Sequence, residues 1–189
     1  IACCVSPMKI GKQMQFFGAR ANLAKCMLYA INGGRDEMSG EQIAPQFAPI
    51  TGDYLTYEEF MPKFEQMMRW LAKTYVNALK IIHYMHDKYD YEAFEMSLHD
   101  GDVERTRATG IAGLSIVTDS IAAMKHCKIR IERDESGLAV GYRIEEGEYT
   151  PFGNNCDETD RISVEITEKF MEYLRQHRTY RDAIPTQSI

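Results

Sequence analysis

Two cysteines stand side by side near the start of the sequence, in Ile1-Ala2-Cys3-Cys4-Val5-Ser6-Pro7-Met8, and their adjacency limits what the thiols can do. Consecutive Cα atoms lie about 3.8 Å apart across a trans peptide, whereas a disulfide needs about 4.4–6.8 Å. A Cys3–Cys4 bridge, or a thiol-redox module built on one, would therefore distort its own peptide. Structural zinc sites use spaced pairs such as Cys-x₂₋₄-Cys completed by further Cys or His, and the first histidine of the chain is His83. Two readings remain: small residues packed in a core, where free cysteine is common, or an active-site loop.

Other residues invite chemistry less strongly. His83 and His86 are three apart and share a helix face, but a metal site needs further ligands, and hydrogen bonding among the neighbouring tyrosines and aspartates accounts for them as well. His99, His126 and His177 have no paired context. Cys26, Cys127 and Cys156 read as packing or surface thiols. Arg20 could hold a carboxylate through two parallel hydrogen bonds, although most arginines are simply solvated.

The text around these residues narrows the choice. Ile1 to Leu23, including Gly11-Lys12-Gln13-Met14-Gln15-Phe16-Phe17-Gly18-Ala19-Arg20-Ala21-Asn22, closely resembles the central region of the pyruvate formate-lyase family of glycyl-radical enzymes, the formate C-acetyltransferases. Leu28 to Gly34, Ile81 to Tyr89, Gly110 to Ser115, Phe152 to Asn155 and Thr179 to Ser188 match as well. Diol dehydratases and decarboxylases of the wider group carry one cysteine followed shortly by a glutamate. Cys-Cys-Val-Ser instead places the chain with the acyl-cleaving branch. The resemblance implies a radical cleavage of pyruvate with coenzyme A to acetyl-CoA and formate, in which Cys4 relays the radical and Cys3 becomes the thiyl and acetyl acceptor. It implies further that Arg20 binds the pyruvate carboxylate and Phe17 lines the pocket, with no metal. The glycyl radical would sit on a residue outside this chain, since the family's Arg-x-x-Gly-Tyr motif is missing and Gly141-Tyr142, preceded by Leu138, is a decoy. A radical-SAM activating enzyme, a homodimer, a cytoplasmic setting and a role in anaerobic glucose fermentation are implied in the same way. A 2-ketobutyrate formate-lyase would share these residues, and a non-catalytic scaffold fragment would share the fold.

The elements that must position these residues follow from periodicity. Apolar residues at Phe16, Leu23, Met27 and Ile31 recur with helical spacing, and Asn32-Gly33-Gly34 supplies a stop. Residues 35 to 53 read as a surface loop. Thr56-Tyr57-Glu58-Glu59 is a capping box, followed by a stripe of Phe60, Phe64, Met67, Leu71, Tyr75, Leu79, Ile82 and Met85, with Pro62 expected to kink or delay the helix. Short helices are expected at about 91 to 98 and 106 to 125. Lys128 to Arg133 and Leu138 to Glu145 alternate around a turn and form a hairpin. Ile162 to Leu174 marks a last helix, and Thr179 to Ile189 is extended.

The residues alone thus read as mostly α-helical with one β-hairpin. The resemblance implies an α/β fold: an excerpt of a large ten-stranded β/α barrel, with residues 1–189 as a single partial domain from its middle. Such an excerpt would leave apolar faces uncovered and fold poorly by itself. The composition, 44% hydrophobic and 26% charged, is that of a globular domain. A formal charge of −6 without a basic stripe argues against nucleic acid, and no apolar run approaches a membrane span. Five cysteines at irregular spacing do not form a secreted disulfide framework, which suits a reducing compartment.

Overall fold

A computed structural model describes residues 8–188. In chain order the elements are β1 (Gln13–Asn22), α1 (Leu23–Ile31), β2 (Tyr54–Leu55), α2 (Tyr57–Lys88), α3 (Tyr91–Met96), β3 (Glu104–Ala112), α4 (Leu114–His126), β4 (Lys128–Arg133), β5 (Ala139–Glu146), α5 (Asp157–Arg175), a 3-10 turn (Tyr180–Asp182) and β6 (Ile184–Ser188). The strands form two three-stranded sheets, ordered β1-β3-β6 and β2-β4-β5. The chain divides into two compact units: residues 1–21, 72–112 and 171–189, and residues 22–71 and 113–170.

The first unit holds the β1-β3-β6 sheet. β3 and β6 run parallel, with Thr106 opposite Ile184 and Gly110 opposite Ser188. Six consecutive residues of β3, Thr106 to Ile111, are buried, as expected where a parallel strand is covered on both faces. Threonine hydroxyls stitch the strands together: Thr106 donates to the Met14 carbonyl at 3.3 Å, Thr186 donates to the Arg107 carbonyl at 3.2 Å, and Thr109 donates to that of Thr186. Met14, Phe16 and Ala183 form a small core flanked by Met96, Val103 and Tyr180. Phe16 stacks on His83 at 4.9 Å between ring centroids, and Tyr180 meets its edge at 5.8 Å.

The second unit is built on a larger apolar core. Leu23, Met27 and Ile31 of α1 are buried, as are Phe60, Phe64, Met67 and Met68 of α2, Val117 and Ile121 of α4, and Ile162, Ile166 and Phe170 of α5. Phe60 and Phe64 stack at 5.1 Å. Full burial of such side chains contributes about 1.5–3 kcal/mol each. In its sheet β4 pairs antiparallel with β5 and with the short β2. The Asn32 amide closes a pair of buried hydrogen bonds with the Ala139 backbone, at 2.9 and 2.8 Å.

Several expectations hold and several do not. The hairpin appears as β4 and β5, and α2 begins directly after Thr56 and runs for 32 residues, about 48 Å at helical pitch. It continues through Pro62, which is exposed, so the carbonyl that this proline cannot bond is open to water. Gly33 and Gly34 both take positive φ, 64° and 92°, and end α1 as anticipated. The expected helix through Phe16 is corrected: residues 13–22 are strand, and α1 starts at Leu23, where the Asn22 side chain accepts from the Lys25 amide at 3.0 Å. The expected helix at 106 to 125 is likewise β3 followed by α4. The closing segment, read as extended from Thr179, is extended only at β6, which pairs with β3; Tyr180–Asp182 before it form a 3-10 turn. The sequence reading of mostly helix therefore understates the β content.

Candidate active site

β1 carries the substrate-binding candidates. Phe17 and Arg20 both lie on it, and the Arg20 side chain is exposed. The Phe17 side chain and the Cys3-Cys4 pair lie outside the described residues, so the structure places neither.

What it does describe is how the strand around Arg20 is held. At Gly18 the backbone of β3 comes so close that a Cβ would stand 2.2 Å from the Ala108 carbonyl oxygen; only glycine fits this approach. One residue on, Tyr75 of α2 reaches Ala19. Its hydroxyl donates to the Ala19 carbonyl and accepts from the Ala19 amide at 3.3 Å. The Gly110 backbone hydrogen-bonds the same hydroxyl. Burial pushes the Tyr75 phenol above its ordinary value, with the Ala19 and Gly110 hydrogen bonds and the Arg107 charge opposing it, so at neutral pH the hydroxyl keeps its proton as a donor.

Beneath the Tyr75 ring lies Arg107 of β3, its guanidinium carbon 6.0 Å from the ring centroid. Arg107 is 0% exposed, and none of its three guanidinium nitrogens has a hydrogen-bond partner among the described residues. Burial lowers its pKa, and the nearby Tyr75 opposes that shift. Sequence reasoning missed this residue because it lay in a stretch assigned to helix. The visible signal is a lone arginine within Thr106-Arg107-Ala108-Thr109-Gly110.

The histidines separate. His83 is 1% exposed and stacked on Phe16, whereas His86 faces solvent, and no group of three His, Cys, Asp or Glu among the described residues is arranged to hold a metal ion. The three described thiols differ. Burial raises the Cys26 pKa far above the ordinary thiol value, and burial with the Glu148 charge raises Cys127. Cys156 is held low by hydrogen bonds from the Thr159 amide and hydroxyl at the start of α5. Gly141 and Tyr142 sit within β5 in register with Glu132 and Ile131. A backbone committed to a hairpin ladder does not fit a radical-bearing glycine.

The fold defines the class. A glycyl radical enzyme from Archaeoglobus fulgidus superposes with a TM-score of 0.66 at 15% identity, covering 88% of this chain and 24% of its own. A structure described for 1,2-propanediol dehydration in Roseburia inulinivorans gives 0.73 at 19%, covering 97% and 27%. Hydroxyproline dehydratase from Clostridioides difficile gives 0.67 at 16%, covering 97% and 26%. The chain therefore has the α/β fold of the glycyl radical enzymes, a ten-stranded β/α barrel of which it forms a part.

Sequence narrows the class. The chain is 60% identical over all 189 residues to formate acetyltransferase 1 of Escherichia coli K12, and spans 25% of that relative's length. The pyruvate formate lyase-like family model matches residues 1–189, and the chain belongs to that family.

Proposed function

We propose that the protein cleaves pyruvate with coenzyme A to acetyl-CoA and formate, and that these residues supply the acyl-accepting cysteines and one carboxylate-binding arginine. The 60% identity to a formate acetyltransferase along the whole chain carries this reading. An unpaired electron supplied by a protein glycyl radical outside these residues would enter at Cys4. Cys4 takes the hydrogen of the Cys3 thiol, leaving a thiyl at Cys3 Sγ. Cys3 Sγ adds to the keto carbon, the bond to the carboxylate carbon breaks, and acetyl-Cys3 forms with a formate-level radical. That radical takes hydrogen from a thiol and leaves as formate, and the coenzyme A thiol then displaces Cys3 from the thioester. Adjacent thiols suit the hydrogen exchange because transfer needs near contact. Arg20 holds the carboxylate through two parallel hydrogen bonds from its guanidinium.

In the same reading residues 1–189 are one part of a larger barrel. A radical-SAM activating enzyme serves as partner, the assembly is a homodimer, and the setting is cytoplasmic and fermentative. The test uses the complete protein, activated without oxygen. Cys3→Ser should abolish acetylation by pyruvate while the glycyl radical signal remains in electron spin resonance, and Cys4→Ser should abolish turnover. Full activity in Cys3→Ser would overturn the proposal.

A further inference from the structure

We propose that Tyr75 is a positioning residue for Arg20, its hydroxyl fixing the peptide plane from which the arginine projects. The inference rests on the carboxylate-binding role of Arg20 given above. A peptide unit is planar, so the Ala19 carbonyl and the Arg20 amide form one rigid body whose far corner is the Arg20 Cα. Holding that carbonyl fixes the direction in which the arginine side chain departs. The Tyr75 hydroxyl donates to the Ala19 carbonyl and accepts from the Ala19 amide, so it holds both planes that meet at Ala19. One hydroxyl suffices because it offers one donor and two acceptor lone pairs. The additional bond with Gly110 ties the same atom to β3.

The hold falls next to the arginine: the Ala19 amide and carbonyl, immediately before Arg20, both meet the same side-chain hydroxyl. The hold is also stiff. Tyr75 is 9% exposed, its ring is backed by Arg107, and the approach of β3 at Gly18 leaves no slack just before Ala19. A phenylalanine would fill the same space without gripping the strand.

Tyr75→Phe in the complete, anaerobically activated protein tests this. Pyruvate KM, and the Kd of the pyruvate isostere oxamate on the unactivated protein, should rise about fivefold to tenfold, the scale of one lost hydrogen bond. Coenzyme A KM should stay unchanged. Arg20→Lys should raise pyruvate KM by itself, and adding Tyr75→Phe to it should change little more, because both act through one group. An unchanged pyruvate KM in Arg20→Lys would overturn the carboxylate role and this inference with it. A sensitive Arg20 alongside an unaffected Tyr75→Phe, or equal losses for pyruvate and coenzyme A, would overturn the inference alone. The unaltered protein offers a check that no variant can obscure: the Ala19 amide should exchange its hydrogen as slowly as those of Thr106 and Ala108, and rapid exchange would disprove the contact.

Discussion

Each of the two units buries a charge, and they treat it in opposite ways. In the second, Asp36 meets Lys25 Nζ at 2.6 Å and accepts from the Met38 and Ser39 amides at 3.2 and 2.9 Å. The Lys25 and Ser39 hydrogen bonds hold its carboxyl well below the ordinary range. In the first, Arg107 lies under Tyr75 with no hydrogen-bond acceptor among the described residues. A charge paired by the Lys25 side chain of α1 and by its own loop's amides suits a scaffold, and the apolar core of that unit agrees. A buried cation without an acceptor costs stability, and its place beneath the ring that grips Ala19 fits a unit arranged for position more than for stability.

The largest expected effect tests the scaffold half of this contrast. Phe64→Ala should destabilise the complete protein by about 3–5 kcal/mol through the cavity it opens, read as a lower denaturant midpoint, while pyruvate KM stays put. A changed KM with little loss of stability would erase the division of labour. Next comes Arg107→Met, which keeps bulk beneath Tyr75 and removes the charge. Thermal melts should show a gain of about 1–4 kcal/mol, the range found when buried ionic groups give way to packed apolar ones. A loss instead would reveal an acceptor supplied from outside the described residues, making the two charges alike after all. The smallest effect concerns the thiols. Because Cys156 is shifted down and Cys127 up, thiolate at Cys156 persists to lower pH. Peptide-resolved alkylation across a pH series should therefore rise first at Cys156 and later at Cys127, with Cys26 unlabelled while folded. Equal midpoints for Cys156 and Cys127 would show that the Thr159 hydrogen bonds do not matter.

Legibility in the sequence depended on where the determining forces lie. β4 and β5 were readable because alternation and the Asp134-Glu135-Ser136-Gly137 turn are local. α2 was readable from its stripe up to Leu79. Beyond it His83 takes the buried face and Ile82 and Met85 stand partly exposed, a swap decided by the stacking of His83 on Phe16. β1 and β3 escaped notice for a related reason. β3, buried along Thr106 to Ile111, need not alternate, and in β1 Phe16 falls at helical spacing from Leu23, Met27 and Ile31 of α1, which imitates a helix until the sheet is seen. The candidate site was readable only through the family resemblance, which supplied Arg20 and Phe17. Tyr75 reads as one more position of the α2 stripe, and nothing in a helical stripe reveals that its hydroxyl ends on Ala19.

The threonine bonds across the β1-β3-β6 sheet also bear on how the chain is made. Met14 and Thr106 are 92 residues apart, and Thr109 and Thr186 are separated by 77, so no part of this sheet can close early. At about 5–20 residues per second of synthesis, β1 leaves the ribosome on the order of 5–20 s before β3 exists. Throughout that interval it is an unpaired edge, open to association with other nascent chains. Gln13, Gln15 and Arg20 place polar groups along it, which makes the strand a poor template for aggregation. Arg20, proposed above to hold the carboxylate, would then also guard the strand before synthesis of the chain is complete.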